Sequence, residues 1–499
     1  MLSGLQLDDS SATPLYQQLF DLVVARIQSR AFPPGHRLPP SRALATELGT
    51  HRNTVVRAYA ELEAAGYVSS TVGRGTFVSA PPDLLAPAAP RTGGVPWSSL
   101  VASHVAAEPL HRYERLAHLA TTRDHVNLTR MQPSPDLLPS DALRRCTDYV
   151  LRTLGPRSLG YAPHGGLPRL RELIANDLAR QGVPATADDV LVTTGSQQAL
   201  DLVARALVTP GDTFLVDSTT YTGAINLLTA AGARLVAVPS DDDGPDLDTL
   251  ARFARIAAKG FYLMPNCHNP TGATVSAQRR EALVAWSHES GVPLVEDDYG
   301  ADLALDGDDP PLALRALDGD VLYMGTFSKK LAPALRLGFL VCPPPLRRVL
   351  LALKHAMDLG TSALLQHVLA EFLERGYLRS HLATTLPEYR RRRDALVGAL
   401  VDLPRGVGFR VPERGVVLWM TLPAHLDVDA VFEEAQRRGV LVSPGALNAI
   451  AGQVQGLRIT FCAESTERVA EGGRRLASAL RAVAKQRGLA TETSAVGMV

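Results

Sequence analysis

Seven short apolar runs alternate with helix-forming stretches between residues 189 and 343: VLVTTG, TFLVDS, RLVAVPS, GFYLMP, PLVEDD, VLYMGT and GFLVCP. Strands that alternate with helices build an α/β domain around a mostly parallel sheet. Such sheets bind ligands beyond the carboxyl ends of their strands. The polar turns that follow these runs are therefore the places where chemistry is expected.

The rest of the chain bounds that reading. Its 499 residues predict two to four domains. With 46% apolar and 20% charged residues it is neither disordered, collagenous nor a coiled coil. No apolar run approaches the ~18–20 residues of a membrane helix, so no span is expected. The opening MLSGLQLDDS lacks the basic region and apolar core of a secretory signal. Cysteines 146, 267, 342 and 462 show no C-x-x-C spacing, which predicts a reduced, cytoplasmic protein. In that compartment the glycosylation pattern Asn127-Leu128-Thr129 is a chance match.

Net charge is zero, with 51 basic and 51 acidic residues. The balance is uneven. Between Pro14 and Ser79, seven arginines (26, 30, 37, 42, 52, 57 and 74) face four acids (21, 47, 61 and 63), which gives +3. This segment reads as three helices and a hairpin. Leu15, Leu19, Leu22, Val23 and Ile27 form a helical stripe over 14–30, with Thr13 as cap and Pro14 in the first turn. Ser41 starts a short helix that Gly49 ends. Thr50 is expected to cap a third helix over 51–65, and YVSST and GTFVS follow as strands. Five prolines between residues 80 and 96 then mark a stiffened linker, followed by a polar helical stretch near 97–122.

On the third helix Val55, Tyr59 and Leu62 share the core face, leaving Arg52, Asn53, Thr54 and Arg57 to point elsewhere. Helix–turn–helix geometry would set that polar face in a major groove. Ser41 and Arg42 would grip phosphates, and Arg74 at the hairpin tip would enter a minor groove. The string LPPSRALATELGTHRNTVVRAYAELEAAGYVSSTVGRGTFV closely resembles the winged helix–turn–helix of the GntR superfamily. The resemblance implies DNA binding. Several members carry a second recognition-helix arginine where Val56 stands here, so operator sequence does not transfer.

Five turns in the second body carry chemistry. Thr194-Gly195-Ser196-Gln197 leads into a helix and presents free N–H groups to an anion. Tyr221 is an aromatic placed to stack on a flat ring or to pack. Asn269, before a proline, is held extended, whereas His268 reads as structural. Glu296-Asp297-Asp298-Tyr299 follows an apolar run, where acids need a cationic or proton-sharing partner. In Gly325-Thr326-Phe327-Ser328-Lys329-Lys330, followed by Arg336, a lysine in a dry site can form a Schiff base and the arginine suits phosphate. Spacing alone does not separate Lys329 from Lys330.

In this order the segments resemble the class I and II aminotransferase branch of the fold-type I pyridoxal phosphate enzymes, over about 126–480. The resemblance implies a large lobe with a mostly parallel seven-stranded sheet and a smaller α+β lobe. It makes Lys329 the lysine of the internal aldimine and pairs Asp297 with the pyridine nitrogen. Asn269 and Tyr299 would hold the ring 3-hydroxyl oxygen, and Tyr221 would stack on the ring. The phosphate would go to Gly195, Ser196, Gln197, Thr326 and Arg336. Arg458 falls where a substrate α-carboxylate binds. Tyr161, in LGYAPHGG, falls where a neighbouring subunit contributes a tyrosine to the phosphate.

A GntR-type head, a proline-rich linker and an aminotransferase-like body resemble the MocR-type bacterial regulators. The expected boundaries are a DNA-binding domain over 1–80, a linker and arm over 81–125, a pyridoxal phosphate domain over 126–486 and a tail over 487–499. Within the body, the large lobe is expected over about 160–345 and the small lobe over about 126–159 and 346–486. The resemblance implies a head-to-tail homodimer that binds double-stranded operator DNA in the bacterial cytoplasm and nucleoid, without metal or membrane. An amine, amino acid or vitamin effector would act through aldimine chemistry at Lys329, closing the small lobe and reorienting the heads. A GABA-sensing branch carries an arginine two residues after the stacking aromatic; Gly223 stands there, which argues against GABA. The alternative is a working aminotransferase with an accessory head, and a third reading is a cofactor store with inert heads.

Overall fold

The computed structural model describes residues 7, 13–28, 31–33, 35–71, 75–79, 125–306, 310–450, 452 and 454–486. The linker, the polar stretch near 97–122, Arg74 and the tail lie outside the described residues. The chain divides into two compact units, Met1–Ala106 and Ala107–Val499.

In the first unit α1 (Leu15–Gln28), α2 (Ser41–Glu47) and α3 (Arg52–Ala64) precede the antiparallel hairpin β1 (Val68–Thr71) and β2 (Gly75–Val78). Leu19, Val23 and Ile27 of the expected stripe are buried, against Leu44, Val55, Tyr59 and Leu62. The Tyr59 hydroxyl donates to the Pro39 carbonyl at 2.8 Å and pins α3 to the turn before α2. Gly49 (φ +64°) ends α2 in the left-handed conformation, as its position predicts. Thr50 is not the cap of α3. His51 occupies that position with extended backbone and makes no side-chain capping bond.

The second unit holds β3 (Val126–Asn127) and a seven-stranded sheet. Its strands are β4 (Val190–Thr193), β5 (Thr213–Asp217), β6 (Arg234–Val238), β7 (Ala258–Leu263), β8 (Leu294–Asp297), β9 (Leu322–Thr326) and β10 (Gly338–Val341). Each corresponds to one of the seven apolar runs. The order is β4-β10-β9-β8-β7-β5-β6, with only β10 antiparallel to its neighbours. β8 and β9 are wholly buried because the sheet is covered on both faces.

A four-stranded sheet of β11 (Gly408–Phe409), β12 (Val417–Thr421), β14 (Ser443–Pro444) and β15 (Gly456–Thr460) forms a second core, while β13 (Val440–Leu441) pairs with β3. The same core takes Val126, Leu128 and Ile459, which brings the segment after β3 and the strand carrying Arg458 together. No helix of the described residues is long and apolar enough to cross a membrane.

Candidate functional site

The carboxyl ends of β4, β7, β8 and β9 open on a cavity of about 510 Å³. Gly195, Ser196, Gln197, Tyr221, Asn269, Asp297, Tyr299, Thr326, Lys329, Arg336 and Arg458 all line it. Tyr161 does not: it is 84% exposed on the surface.

β8 decides which acid faces the cavity. Glu296, Asp297 and Asp298 are consecutive and all buried. Glu296 accepts from the Leu314 and Arg315 N–H groups at 3.0 and 2.9 Å, and burial pushes its carboxyl up to about 7. Asp298 accepts from Asn266 and the Tyr323 hydroxyl at 3.0 and 3.1 Å. Asp297 alone lines the cavity. Its Oδ2 accepts from the Tyr262 hydroxyl at 2.8 Å, while Oδ1 is buried with no partner among the described residues. Burial raises its carboxyl from 3.8 to about 6.

The two adjacent lysines separate cleanly. Lys329 lines the cavity, its Nζ donating to the Met131 carbonyl at 2.6 Å. Burial draws its pKa below the ordinary lysine range, although Cys462 and Asp297 act the other way. Lys330 points away into an ion pair with Asp302 at 2.5 Å, with Asp177 at 4.0 Å.

At the anion end, α4 (Ser196–Leu207) starts at Gly195, whose φ of +85° a side chain rarely adopts. A Cβ there would also stand 3.3 Å from the Arg336 guanidinium. Arg336 itself has φ +49°, a conformation that costs a non-glycine residue on the order of 1 kcal/mol. It donates to the Thr194 carbonyl at 3.2 Å. The Thr326 and Ser328 hydroxyls are 3.1 Å apart beside it.

Across the cavity, Arg458 is buried and donates to Asn269 Oδ1 and the Thr129 carbonyl, both at 3.1 Å. Asn269 keeps its amide nitrogen as a donor. The Tyr299 hydroxyl donates to the Cys267 carbonyl. His268 lies outside the cavity lining, with Nδ1 2.7 Å from the Thr271 hydroxyl. A Cβ on Gly223 would collide with the Tyr221 ring at 2.4 Å, so an arginine there would displace that aromatic.

Tyr262, which holds Asp297, and the segment Thr129–Gln132, which meets Lys329 and Arg458, belong to none of the sequence motifs. Tyr262 lies one strand away, in GFYLMP, and nothing in that run marks its hydroxyl. The Thr129–Gln132 segment is remote in sequence and is brought to the cavity by the pairing of β3 with β13 and by bonds from Thr460 and Arg458 of β15 to the Leu128, Thr129 and Arg130 carbonyls.

In the first unit, Arg42, Arg52 and Asn53 are exposed, and Ser41 and Thr54 are half-buried. Arg57 is more constrained than its sequence position suggests. Its guanidinium lies 3.7 Å over the Tyr16 ring and 3.9 Å from Glu61. Val56 is 44% exposed next to it.

The fold and cavity define a two-module protein, with a winged helix–turn–helix followed by a fold-type I pyridoxal phosphate body. Residues 126–476 match the aminotransferase class I and II family, and residues 15–78 match the gntR family of bacterial regulatory proteins. The chain belongs to the class I and II aminotransferase family and, carrying a GntR-type DNA-binding head, has the architecture of the MocR-type regulators. It is 33% identical to the probable rhizopine catabolism regulatory protein MocR of Rhizobium meliloti, over 88% of each chain. It is 31% identical to the uncharacterized HTH-type transcriptional regulator YisV of Bacillus subtilis, over 89% of this chain and 91% of that one. The body resembles the α-aminoadipate aminotransferase LysN of Thermus thermophilus, solved with N-(5'-phosphopyridoxyl)-L-leucine. The TM-score is 0.72 at 30% identity, covering 79% of this chain and all of that one.

Pyridoxal phosphate is the cofactor of this family, and the cavity fits it. A buried carboxylate oxygen without a partner suits a protonated ring nitrogen, and a glycine-started helix beside an arginine suits a phosphate.

Proposed function

We propose that the body senses a primary amine, an amino acid or a form of vitamin B6 at this cavity, and that its state sets how tightly the head holds double-stranded operator DNA. One observation carries the reading: a DNA-binding head shares its chain with a cavity in which Lys329, Asp297, Arg336 and Arg458 converge.

Bound there, pyridoxal phosphate supplies a carbonyl that captures amines and a ring that accepts an electron pair. Lys329 offers the resident amine, and burial keeps its Nζ neutral at lower pH than in water. Tyr262 fixes one oxygen of Asp297 so that Oδ1 serves the ring nitrogen. Asn269 would hold the ring oxygen through its amide, Tyr299 would join it by turning its hydroxyl from the Cys267 carbonyl, and Tyr221 would stack on the ring. Gly195, Ser196, Gln197, Thr326 and Arg336 take the phosphate. Arg458 takes an effector carboxylate. Exposure of Tyr161 supports its service to a partner copy in a homodimer with shared sites, and the likeness to MocR-type regulators supports a head-to-tail arrangement of that dimer. Ser41, Arg42, Arg52, Asn53, Thr54, Arg57 and Arg74 serve the operator. The setting is the bacterial cytoplasm and nucleoid.

The test is operator affinity measured with and without pyridoxal phosphate and a panel of amines, on the wild-type chain and on Lys329→Ala. Coupling of about 1–3 kcal/mol, roughly 5- to 150-fold, is expected in the wild type and lost in the variant. Operator affinity unchanged by every addition would overturn it. The completeness of the cavity supports a second reading, a working aminotransferase. Steady-state transfer between an amino acid and a 2-oxo acid above about 1 s⁻¹ would favour that reading.

A further inference from the structure

Behind the anion loop lies an ion pair between a buried lysine and a half-buried aspartate that no step above uses. Lys354 and Asp358 sit one turn apart on α5 (Pro344–Asp358), and Lys354 is 0% exposed. Its Nζ donates to Asp358 Oδ2 at 2.6 Å and to the Thr361 hydroxyl at 2.9 Å. Burying an ammonium this completely is costly unless every donor finds a partner. Burial pulls the amine below the ordinary lysine range even with Asp358 opposing it.

The third partner is Gln198. Its Oε1 accepts from Lys354 at 3.3 Å and from the Thr194 N–H at 2.8 Å. Its Nε2 donates to Asp358 Oδ2 at 2.8 Å. The Gln198 amide therefore has its orientation fixed from both ends of the ion pair. Both backbone groups of Thr194 are engaged, its N–H by Gln198 and its carbonyl by Arg336. Gly195 follows, and the cavity lies beyond it. Asp358 Oδ1 also accepts from the Gly360 N–H at 2.8 Å, which anchors the carboxylate from a second direction.

We propose that Gln198, oriented by the Lys354–Asp358 ion pair, is a positioning residue that presets the Thr194–Gln197 loop for a phosphate monoester. This rests on that loop being the phosphate end of the cofactor site. None of the three side chains lines the cavity, so they act through the loop backbone. Without the triad the Thr194 peptide loses its N–H partner and the loop must be ordered by the ligand itself.

The test compares pyridoxal phosphate with pyridoxal, which lacks the phosphate, on the full-length chain. Binding is read by tryptophan quenching, and competition by inorganic phosphate gives an independent reading of the loop. Gln198→Leu leaves the ion pair in place. It removes the Gln198 bonds to Lys354, Asp358 and Thr194, and of these the bond to the Thr194 N–H bears on the loop, which predicts a roughly 3- to 10-fold loss of pyridoxal phosphate affinity. Pyridoxal affinity should stay the same, and phosphate competition should weaken in proportion. Asp358→Asn should move the same ratio in the same direction. A phosphate-to-pyridoxal affinity ratio that stays within twofold of wild type in a folded Gln198→Leu protein overturns the proposal. Should Asp358→Asn fail to fold, Gln198→Leu decides alone. A wild-type chain that binds pyridoxal phosphate no better than pyridoxal would instead remove the underlying assignment of the loop.

Discussion

The head and the cavity are both proposed to receive phosphate, and they prepare for it in opposite ways. On the head, Arg42 and Arg52 are exposed and have no acidic partner among the described residues. Their side chains are free to adapt, and the charge they offer is screened by salt. In the cavity, Arg336 is held in a left-handed backbone conformation against Thr194, next to a glycine-started helix. There the donors are fixed before the ligand arrives, by backbone geometry and not by burial, since Arg336 is itself exposed. A surface that scans many DNA sites gains from adaptable charge, whereas a site for one permanent cofactor gains from preset geometry.

The largest expected effect tests whether presetting extends to single residues. Lys329→Ala should abolish covalent capture of pyridoxal phosphate, read as loss of borohydride-fixed label, with little loss of folding stability. Lys330→Ala should do the reverse. It keeps the label but breaks the Asp302 pair, at a cost of about 3 kcal/mol in urea unfolding. Label retained in Lys329→Ala would break the contrast at once.

Asp297 gives a pH signature. Its folded carboxyl titrates at about 6 against an ordinary 3.8, so the folded state binds that proton more tightly than the unfolded state. Its contribution to stability is therefore lost as pH rises from about 4 to 6. Apo Asp297→Asn should gain on wild type across that window, levelling near about 3 kcal/mol above it. Glu296 titrates in both proteins and cancels in the difference. A stability difference flat with pH would refute the burial cost.

Arg336→Ala should lower pyridoxal phosphate affinity about 10- to 100-fold. Arg52→Ala should lower operator affinity about tenfold and reduce the salt slope by about one, leaving cofactor affinity alone. Loss of cofactor affinity in Arg52→Ala would erase the separation of the two sites. The smallest effect belongs to Arg57. Because it lies over Tyr16, Arg57→Ala should cost the head about 0.5–1 kcal/mol in stability and change operator affinity less than Arg52→Ala does.

Much of this was legible in the chain. The seven apolar runs became the seven strands, and eleven of the twelve residues expected around the cofactor line one cavity, Tyr161 being the exception. Motifs work here because ligand turns follow strands directly, so local sequence carries the placement. Other points were not local. Thr50 lost the cap position to His51, and Arg57 was drawn to Tyr16 on another helix.

By itself the sequence determined the two modules, the alternation that makes the body α/β, and the residue types at each turn. Hydrophobic periodicity and turn chemistry depend on near neighbours along the chain. Only the tertiary structure decided between Lys329 and Lys330, between Asp297 and its two acidic neighbours, and on the roles of Tyr262 and Met131 beside them. Adjacent residues point in different directions from one backbone, and what each direction meets is set by strands and loops far away in sequence.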